Sequence, residues 1–553
     1  MRSFKFYLAL VIICGLYACK KDSKQPTQPS VPASFSFNAL KVNGAYNGFS
    51  YKGVNTAPVI KLSFSAAINH NTINNNITFK NNTGTVVTYT AAYQNNDSTI
   101  VITPSALQPI TQYIVNVSTG LQSAAGGSLQ TPVTVNLTTA IDTTNKFPVI
   151  TDDQLLNLVQ QQTFKYFYDF GHPVSGLALE RNTSGDVVTT GGSGFGIMAL
   201  VTGVSRQFIT HAQGLARMQT IVAFLKNNAQ TFHGAFPHWL NGTTGSVVPF
   251  STQDDGADLV ETSFLMEGLL TARQYFNSAN AAETTLRTDI TTLYNNVQWT
   301  WFQNNQNTLF WHWSPNYGWS TNMQVNGWNE ALMTYVLAAS SPTYPIPKIV
   351  YDNGWADNGS MKNGNSYYGV ALPLGPADGG PLFFAHYSFL GINPNGLSDA
   401  YASYDVQNKA HAMINYNYCV ANPNNYYGYG SSCWGLTASD IANGYTASSP
   451  TNDVGVIAPT AAIASLPYTP IQSMQALRFF YYKLGDKMWG PYGFYDSFDL
   501  NSAWFATSDL AIDEGPIIDM IENYRSGLLW NLFMSCPEVK TGMKNLGFQS
   551  PNL

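Results

Sequence analysis

Between Asp289 and Lys348 the chain carries a single Asp, Glu, Lys or Arg, which is Glu330. Its neighbours Trp328, Ala331, Leu332, Met333, Tyr335, Val336 and Leu337 are apolar on every side, and the run predicts a helix over 328–340. A carboxyl isolated in such surroundings loses hydration in its charged form, so its pKa rises and it stays protonated near neutral pH, as a general acid requires. Asn329 could orient it; the competing role is a Glu hydrogen-bonded into the core or capping the helix. A second acidic group, Asp254, Asp258 and Glu261, falls at i, i+4 and i+7 of a helix expected over 254–276, which puts all three on one face. That stripe continues through Leu265, Gly268, Leu269 and Ala272, so the acids stand at the mouth of a buried face. Like charges clustered there are costly unless a ligand, a cation or a raised pKa relieves them. Capping by Asp254 and Asp255 is the alternative. The third group runs from Asp513 and Glu514 through Pro516 to Asp519 and Glu522. Pro516 suits a first helical position, which sets Asp513 and Glu514 at the helix entrance and Asp519 about one turn inside. Asp513 and Asp519 are both candidates for a general base, and the sequence does not rank them. Dipole complement for Asp513 and Glu514, and pairing of Glu522 with Arg525 or a similar neighbour, are the structural alternatives.

Aromatic side chains crowd the same regions: Phe310, Trp311, His312, Trp313, Tyr317, Trp319 and Trp328 before Glu330, then Tyr426, Tyr427, Tyr429 and Trp434 in a glycine-rich loop. Sugar rings stack on such faces, so Trp313, Trp319, Trp328 and Trp434, with Asp254, Asp258, Glu261 and Asn329, are candidate substrate-binding residues. Composition agrees: 14% of residues are aromatic and only 10% charged, with a net charge of −6, so no basic footprint marks a nucleic-acid partner. Neutral, hydroxyl-rich ligands fit better. There is no His-Glu-x-x-His, Cys-x-x-Cys or phosphate-cradling loop, and Gly191-Gly192-Ser193-Gly194-Phe195-Gly196 lacks the strand and distal acid of a dinucleotide site. No cofactor and no metal are expected.

The elements that must position these residues change in texture along the chain. Residues 1–18, with Arg2 and Lys5 before a short apolar run, read as a signal peptide. Leu16-Tyr17-Ala18-Cys19 resembles a bacterial lipobox, which implies lipidation at Cys19, a polar tether over 19–33 and an outer-membrane lipoprotein. Over 34–140, short runs such as Val59-Ile60-Lys61-Leu62-Ser63-Phe64 alternate with Asn and Gly turns, the pattern of a small antiparallel sandwich. Asp97 is its only acid after Lys41, so this segment holds no catalytic carboxylate pair. After a linker at 141–149 the period becomes helical, and residues 150–553 read as one large mainly α domain, a toroid of paired helices whose loops build a cleft at one end. Cys419, Cys433 and Cys536 allow at most one disulfide.

Two resemblances attach to these residues. The segment with Lys61-Leu62-Ser63-Phe64-Ser65, Ile102-Thr103-Pro104 and Gly126-Gly127 is similar to bacterial Ig-like domains of the SbsA type. Phe164-Lys165-Tyr166-Phe167, Ser193-Gly194-Phe195-Gly196, Asp254 through Glu261 with Glu267-Gly268-Leu269-Leu270, Gly327-Trp328-Asn329-Glu330 and Ile521 to Trp530 resemble glycoside hydrolase family 144, the β-1,2-glucanases. The resemblance implies an (α/α)6 barrel, an acidic cleft at one end, Glu330 as acid, and hydrolysis of β-1,2-glucan to sophoro-oligosaccharides with inversion. It leaves the base open between Asp513 and Asp519. Inversion implies carboxyls about 6.5–9.5 Å apart and retention about 5 Å. The expected partners are a β-glucan and, through the anchor, a membrane; the chain is expected to be a monomer. Two other readings stay open: exo action or another glucan as substrate, and a lipid-anchored glycan-binding protein without turnover, which would need neither a lone Glu330 nor a three-acid face.

Overall fold

The computed structural model describes residues 34–553, so the expected signal peptide, the expected tether and Cys19 lie outside the described residues. The chain divides into two compact units, the first drawn from segments up to Ser50, Ala57–Ser105 and Ile114–Asn136, the second from Tyr51–Thr56, Ala106–Tyr113 and Leu137–Leu553.

The N-terminal strands are β1 (Phe37–Val42), β2 (Ser50–Val54), β3 (Ile60–Phe64), β4 (Ile77–Asn81), β5 (Tyr89–Gln94), β6 (Thr99–Pro104), β7 (Gln112–Val117) and β8 (Val133–Thr139). They form two four-stranded sheets, in the orders β1-β3-β6-β5 and β2-β8-β7-β4. Period-two alternation is the cause: Ile60, Leu62 and Phe64 on β3 are buried while Lys61 and Ser63 are not, and Ile60 and Leu62 pair with Ile102 and Ile100 of β6.

The helical unit alternates outer and inner elements. The outer helices are α1 (Asp152–Tyr168), α3 (His211–Asn227), α5 (Ala281–Asn296), α7 (Lys348–Asn353), α8 (Tyr404–Ala421) and α10 (Pro470–Met488); the inner ones are α2 (Thr190–Ser205), α4 (Leu259–Tyr275), α6 (Leu332–Ser340), α9 (Pro459–Ile463) and α11 (Ala511–Arg525). The 3-10 turns Leu382–Ala385 and Tyr387–Phe389 take the remaining inner place. Side α2 packs on α4, α4 on α6, α6 on the turn at 387–389, α9 on α11, and α11 back on α2. His386 Nε2 lies 3.0 Å from Ser465 Oγ, and Tyr468 donates to the carbonyl of Ala385 at 2.9 Å, which joins the turns to the end of α9. That ring is the expected (α/α)6 arrangement.

Sequence decides the layer. All nine residues of α6 are buried, as is nearly every residue of α2 and α4, so these helices have no solvated face to offer. Outer α1 and α3 bury one stripe, and each starts at a capping box, Thr151 with Gln154 and Thr210 with Gln213. Gly194 and Gly268 face each other across α2 and α4, and a Cβ on either would overlap the opposing backbone; the 191–196 glycines serve helix packing.

Several boundaries depart from expectation. The helix expected from Asp254 starts at Leu259, because Ala257 and Asp258 pair as a short strand with Trp313 and His312. The one expected from Trp328 starts at Leu332. Pro516 lies inside α11, not at its first position, since Ala511 to Glu514 already form a turn before it. Cys419, Cys433 and Cys536 are free and buried. No helix among the described residues is long and apolar enough to cross a membrane.

Candidate active site

Inner helices α2, α4, α6 and α11 bring their N-terminal ends to a cavity of about 480 Å³. Thr189 and Leu510, the residues before α2 and α11, line it, as do Glu261 in the first turn of α4 and Glu330 in the turn before α6. Helix N-termini carry partial positive charge, which suits acidic side chains there. Trp239, Phe250, Phe264, Phe383, Tyr387 and Tyr445 supply aromatic walls.

Glu330 reaches the cavity because Gly327 turns the chain at φ 74° and Asn329 Oδ1 accepts from the N–H of Ala331 at 2.9 Å, closing a tight turn ahead of α6. Asn329 thus shapes the backbone under Glu330 and has no bond to its carboxyl. Ser388 Oγ donates to the Glu330 carbonyl and accepts from Met333 N–H at 2.8 Å, tying the turn to the inner ring. Burial, reinforced by Glu261 and Asp258, pushes the Glu330 carboxyl up to about 8.

Glu261 is fixed by Gly191, whose N–H donates to Oε2 at 2.8 Å; a Cβ at Gly191 would overlap this carboxylate. Burial raises its pKa to about 7 against the opposing pull of the nearby His238. Asp258 caps α4, its Oδ1 accepting from the N–H groups of Val260 (3.0 Å) and Glu261 (2.9 Å). Its Oδ2 meets His238 Nδ1 at 3.0 Å and His312 Nε2 at 3.3 Å, and Asp254 Oδ2 lies 3.2 Å from the same His312 nitrogen. Burial would raise the Asp258 pKa, yet the bonds from His238 and His312 hold it well below the ordinary carboxylate range. The two imidazoles are pushed the other way, against burial, to about 9 and about 10. The three acids therefore converge as expected, but by a strand and a cap, and only Glu261 of the three lines the cavity. His238, Asp254 and Asp258 offer ligand atoms within 4.8 Å of one another, and in this structure those groups are paired among themselves and with His312.

Glu180, the third carboxylate of the cavity, is neutralised: both its oxygens lie 3.0 Å from Arg181 Nε, and Arg181 Nη1 reaches Asp440 at 3.1 Å. Arg181 and Tyr445 also line an adjoining cavity of about 550 Å³, with Asp440, Trp504 and Phe505.

The other expected site residues lie elsewhere. Asp513 and Asp519 line neither cavity. Asp513 is buried against Asp496, and burial with that neighbour drives its pKa well above the ordinary value. Asp519 lies six residues further along α11, about 9 Å deeper, fully buried with both oxygens unpartnered. Burial and Glu522 push its pKa well up, so it is a neutral acid in the core. Glu522 pairs with Arg206 at 2.7 Å, while Arg525 turns to Asp153 and Gln160. Trp328 packs on Trp355, Phe389 and Tyr404, and Trp434 is fully buried on Tyr416 with Nε1 donating to the Gln472 carbonyl; both are core. Trp313 and Trp319 belong to a cluster around Trp301, outside both cavities. Tyr426 and Tyr429 hold Asp453. The residues that sequence reasoning missed are His238, Arg181, Tyr387 and Tyr445: the first two lie in irregular backbone, and the others in a 3-10 turn and a four-residue strand too short to show a period.

Asp519→Asn provides a direct check on this placement. A carboxyl whose folded pKa is raised contributes stability that is lost as pH rises above its unfolded value near 4. The Asn variant lacks that loss, so its melting temperature should gain on the parent between pH 6 and 9, with kcat within about threefold. A loss of activity by orders of magnitude would return Asp519 to the site.

Comparison with known proteins bears on this geometry. The Glycoamylase family model matches residues 322–537, and a bacterial Ig-like domain model matches residues 39–139. The exo beta-1,2-glucooligosaccharide sophorohydrolase (non-reducing end) of Parabacteroides distasonis is 47% identical over 421 residues, covering 72% of this chain. This chain spans 58% of the length of that curated relative. Among solved structures, the endo-beta-1,2-glucanase from Chitinophaga pinensis, in complex with sophorotriose and glucose, is 50% identical with a TM-score of 0.72, covering 73% of this chain and 100% of its own. The beta-1,2-glucanase from Parabacteroides distasonis is 38% identical with a TM-score of 0.70, covering 94% of this chain and 74% of its own.

Proposed function

Because this chain belongs to glycoside hydrolase family 144, we propose that it hydrolyses linear β-1,2-glucan internally, with Glu330 as general acid and Glu261 as general base. The observation that carries the reading is the pair itself: two carboxyls in one aromatic-walled cavity, neither held in a salt bridge, raised to about 8 and about 7. At a pH between these values Glu330 is mostly protonated and Glu261 mostly ionised, the division of labour that glycoside hydrolysis needs. Glu330 gives its proton to the glycosidic oxygen as the bond to the anomeric carbon breaks. Glu261 takes a proton from water, whose oxygen attacks that carbon from the opposite face. The base is thus taken from α4 in place of Asp513 or Asp519 on α11. Internal cleavage is favoured by the adjoining cavity with Trp504 and Phe505, which offers surface to sugar units beyond those at the acids.

The test is product analysis on β-1,2-glucan beside cellulose, laminarin and starch, with the first-formed anomer followed by proton NMR. A ladder of sophoro-oligosaccharides from the first substrate alone, with the α-anomer appearing first, is expected. Sophorose as sole product would replace internal by exo action, as in the curated relative. An initial β-anomer would make Glu261 a nucleophile, and binding without cleavage of any substrate would displace the enzyme reading.

A further inference from the structure

His238 is held in one orientation by independent contacts. Its carbonyl accepts from Thr190 N–H at 3.0 Å, and the Pro237 carbonyl accepts from Thr190 Oγ1. Trp239 pairs with Thr189, so the segment is stitched to the start of α2. The ring stacks on Phe250 with centroids 4.3 Å apart, and Nδ1 donates to Asp258 Oδ2 at 3.0 Å. Asp258 cannot yield, because it is fully buried and its other oxygen caps α4. With Nδ1 committed, Nε2 is the nitrogen left for the cavity that the ring lines together with Glu261 and Glu330. Orientation of an imidazole by a buried carboxylate, with the second nitrogen free, is how a reactive histidine is prepared.

We propose that Asp258 and His238 act as a unit in the reaction: His238, oriented by Asp258, donates from Nε2 to a hydroxyl of the glucosyl unit in the cleft and is the side chain that tunes Glu261. The second half rests on the reading of Glu261 as base; the first does not. The charged groups facing His238 are Asp258 and Glu261 from α4, Asp254 before it, His312 beside them, and across the cavity Glu330 and Glu180, the last paired with Arg181. His312 is bonded to Asp254 and Asp258 and does not line the cavity, so His238 is the cation that faces Glu261. The charge follows from these neighbours: burial works against it, and Glu261, Asp258 and Asp254 together keep the ring protonated to about 9.

Two variants of the full chain separate the roles. His238→Gln keeps a donor and removes the charge; it should leave KM within about threefold, move the acid limb of the kcat/KM profile up by about one pH unit and lower kcat at pH 7. His238→Phe keeps the stacked ring and removes both; it should lose about 10²-fold or more in kcat/KM, with KM rising, in line with loss of a donor in a closed site. A pH profile and KM unchanged in both would overturn the proposal. ¹⁵N-histidine NMR of the parent chain reads the same unit without any turnover: His238 should titrate above pH 8, and at least one unit lower in Glu261→Gln. Titration near 6.5 would overturn the charge even if the chain cleaved no β-1,2-glucan, whereas a high value in an inactive chain would sink only the assigned reaction.

Discussion

Glu330→Gln should lower kcat on β-1,2-glucan by about 10²–10⁴-fold, the range a positioned general acid contributes, while the chain stays folded and still binds its substrate. The amide fills the same volume before α6 and leaves the turn built by Asn329 and Ser388 unchanged. It cannot give up a proton. In the parent, activity should fall above about pH 8, where Glu330 becomes ionised; in the variant that alkaline limb should vanish. A β-glucoside whose aryl leaving group departs without protonation should recover much of the lost rate, since the missing step is then unnecessary. Stability gives the control. A raised carboxyl pKa makes the parent lose stability as pH climbs from its unfolded value near 4.3 toward 8, so the variant should melt at or above the parent temperature at pH 8. A variant that melts lower and resists rescue by a better leaving group would make Glu330 structural.

Glu330 was legible because a carboxyl that is the only Asp, Glu, Lys or Arg between Asp289 and Lys348, set in an apolar run, has a cost that must be explained, and sequence shows that isolation directly. The layering of the ring was legible for a related reason: α6 has no polar stripe to turn outward. The acids at 254, 258 and 261 were grouped by a spacing that does not exist in three dimensions, because the strand pairing of Ala257 and Asp258 with Trp313 and His312 competes with the first helical turn. They converge nonetheless, since Asp258 as cap fixes where α4 starts. A tryptophan in a glycine-rich loop has the same neighbours in sequence whether the loop folds back, as at Trp434, or opens to ligand. Tyr387, His238 and Tyr445 lie where no period predicts their direction, so their place beside Glu261 and Glu330 comes only from closure of the ring.

Glu261→Gln should match Glu330→Gln in severity, about 10²–10⁴-fold in kcat, and differ from it in every diagnostic. Glu261 acts ionised, so parent activity should fall about tenfold per unit below pH 7, as the carboxylate takes up a proton. The variant loses that acid limb and keeps the alkaline one set by Glu330. A better leaving group should not rescue it, because the water still lacks a base. Folding should persist: the Gln carbonyl can accept the Gly191 N–H in place of Oε2, and removing a carboxylate beside Asp258 and Asp254 relieves like-charge repulsion. The rival bases are tested on the same terms. Asp513→Asn removes a carboxyl buried against Asp496 behind the cavity wall and should leave the acid limb where it was. If instead Asp513→Asn abolished turnover and Glu261→Gln only raised KM, the base would pass to α11, with its proton carried through the Asp496–Asp513 pair, and Glu261 would become a hydroxyl acceptor for the bound sugar.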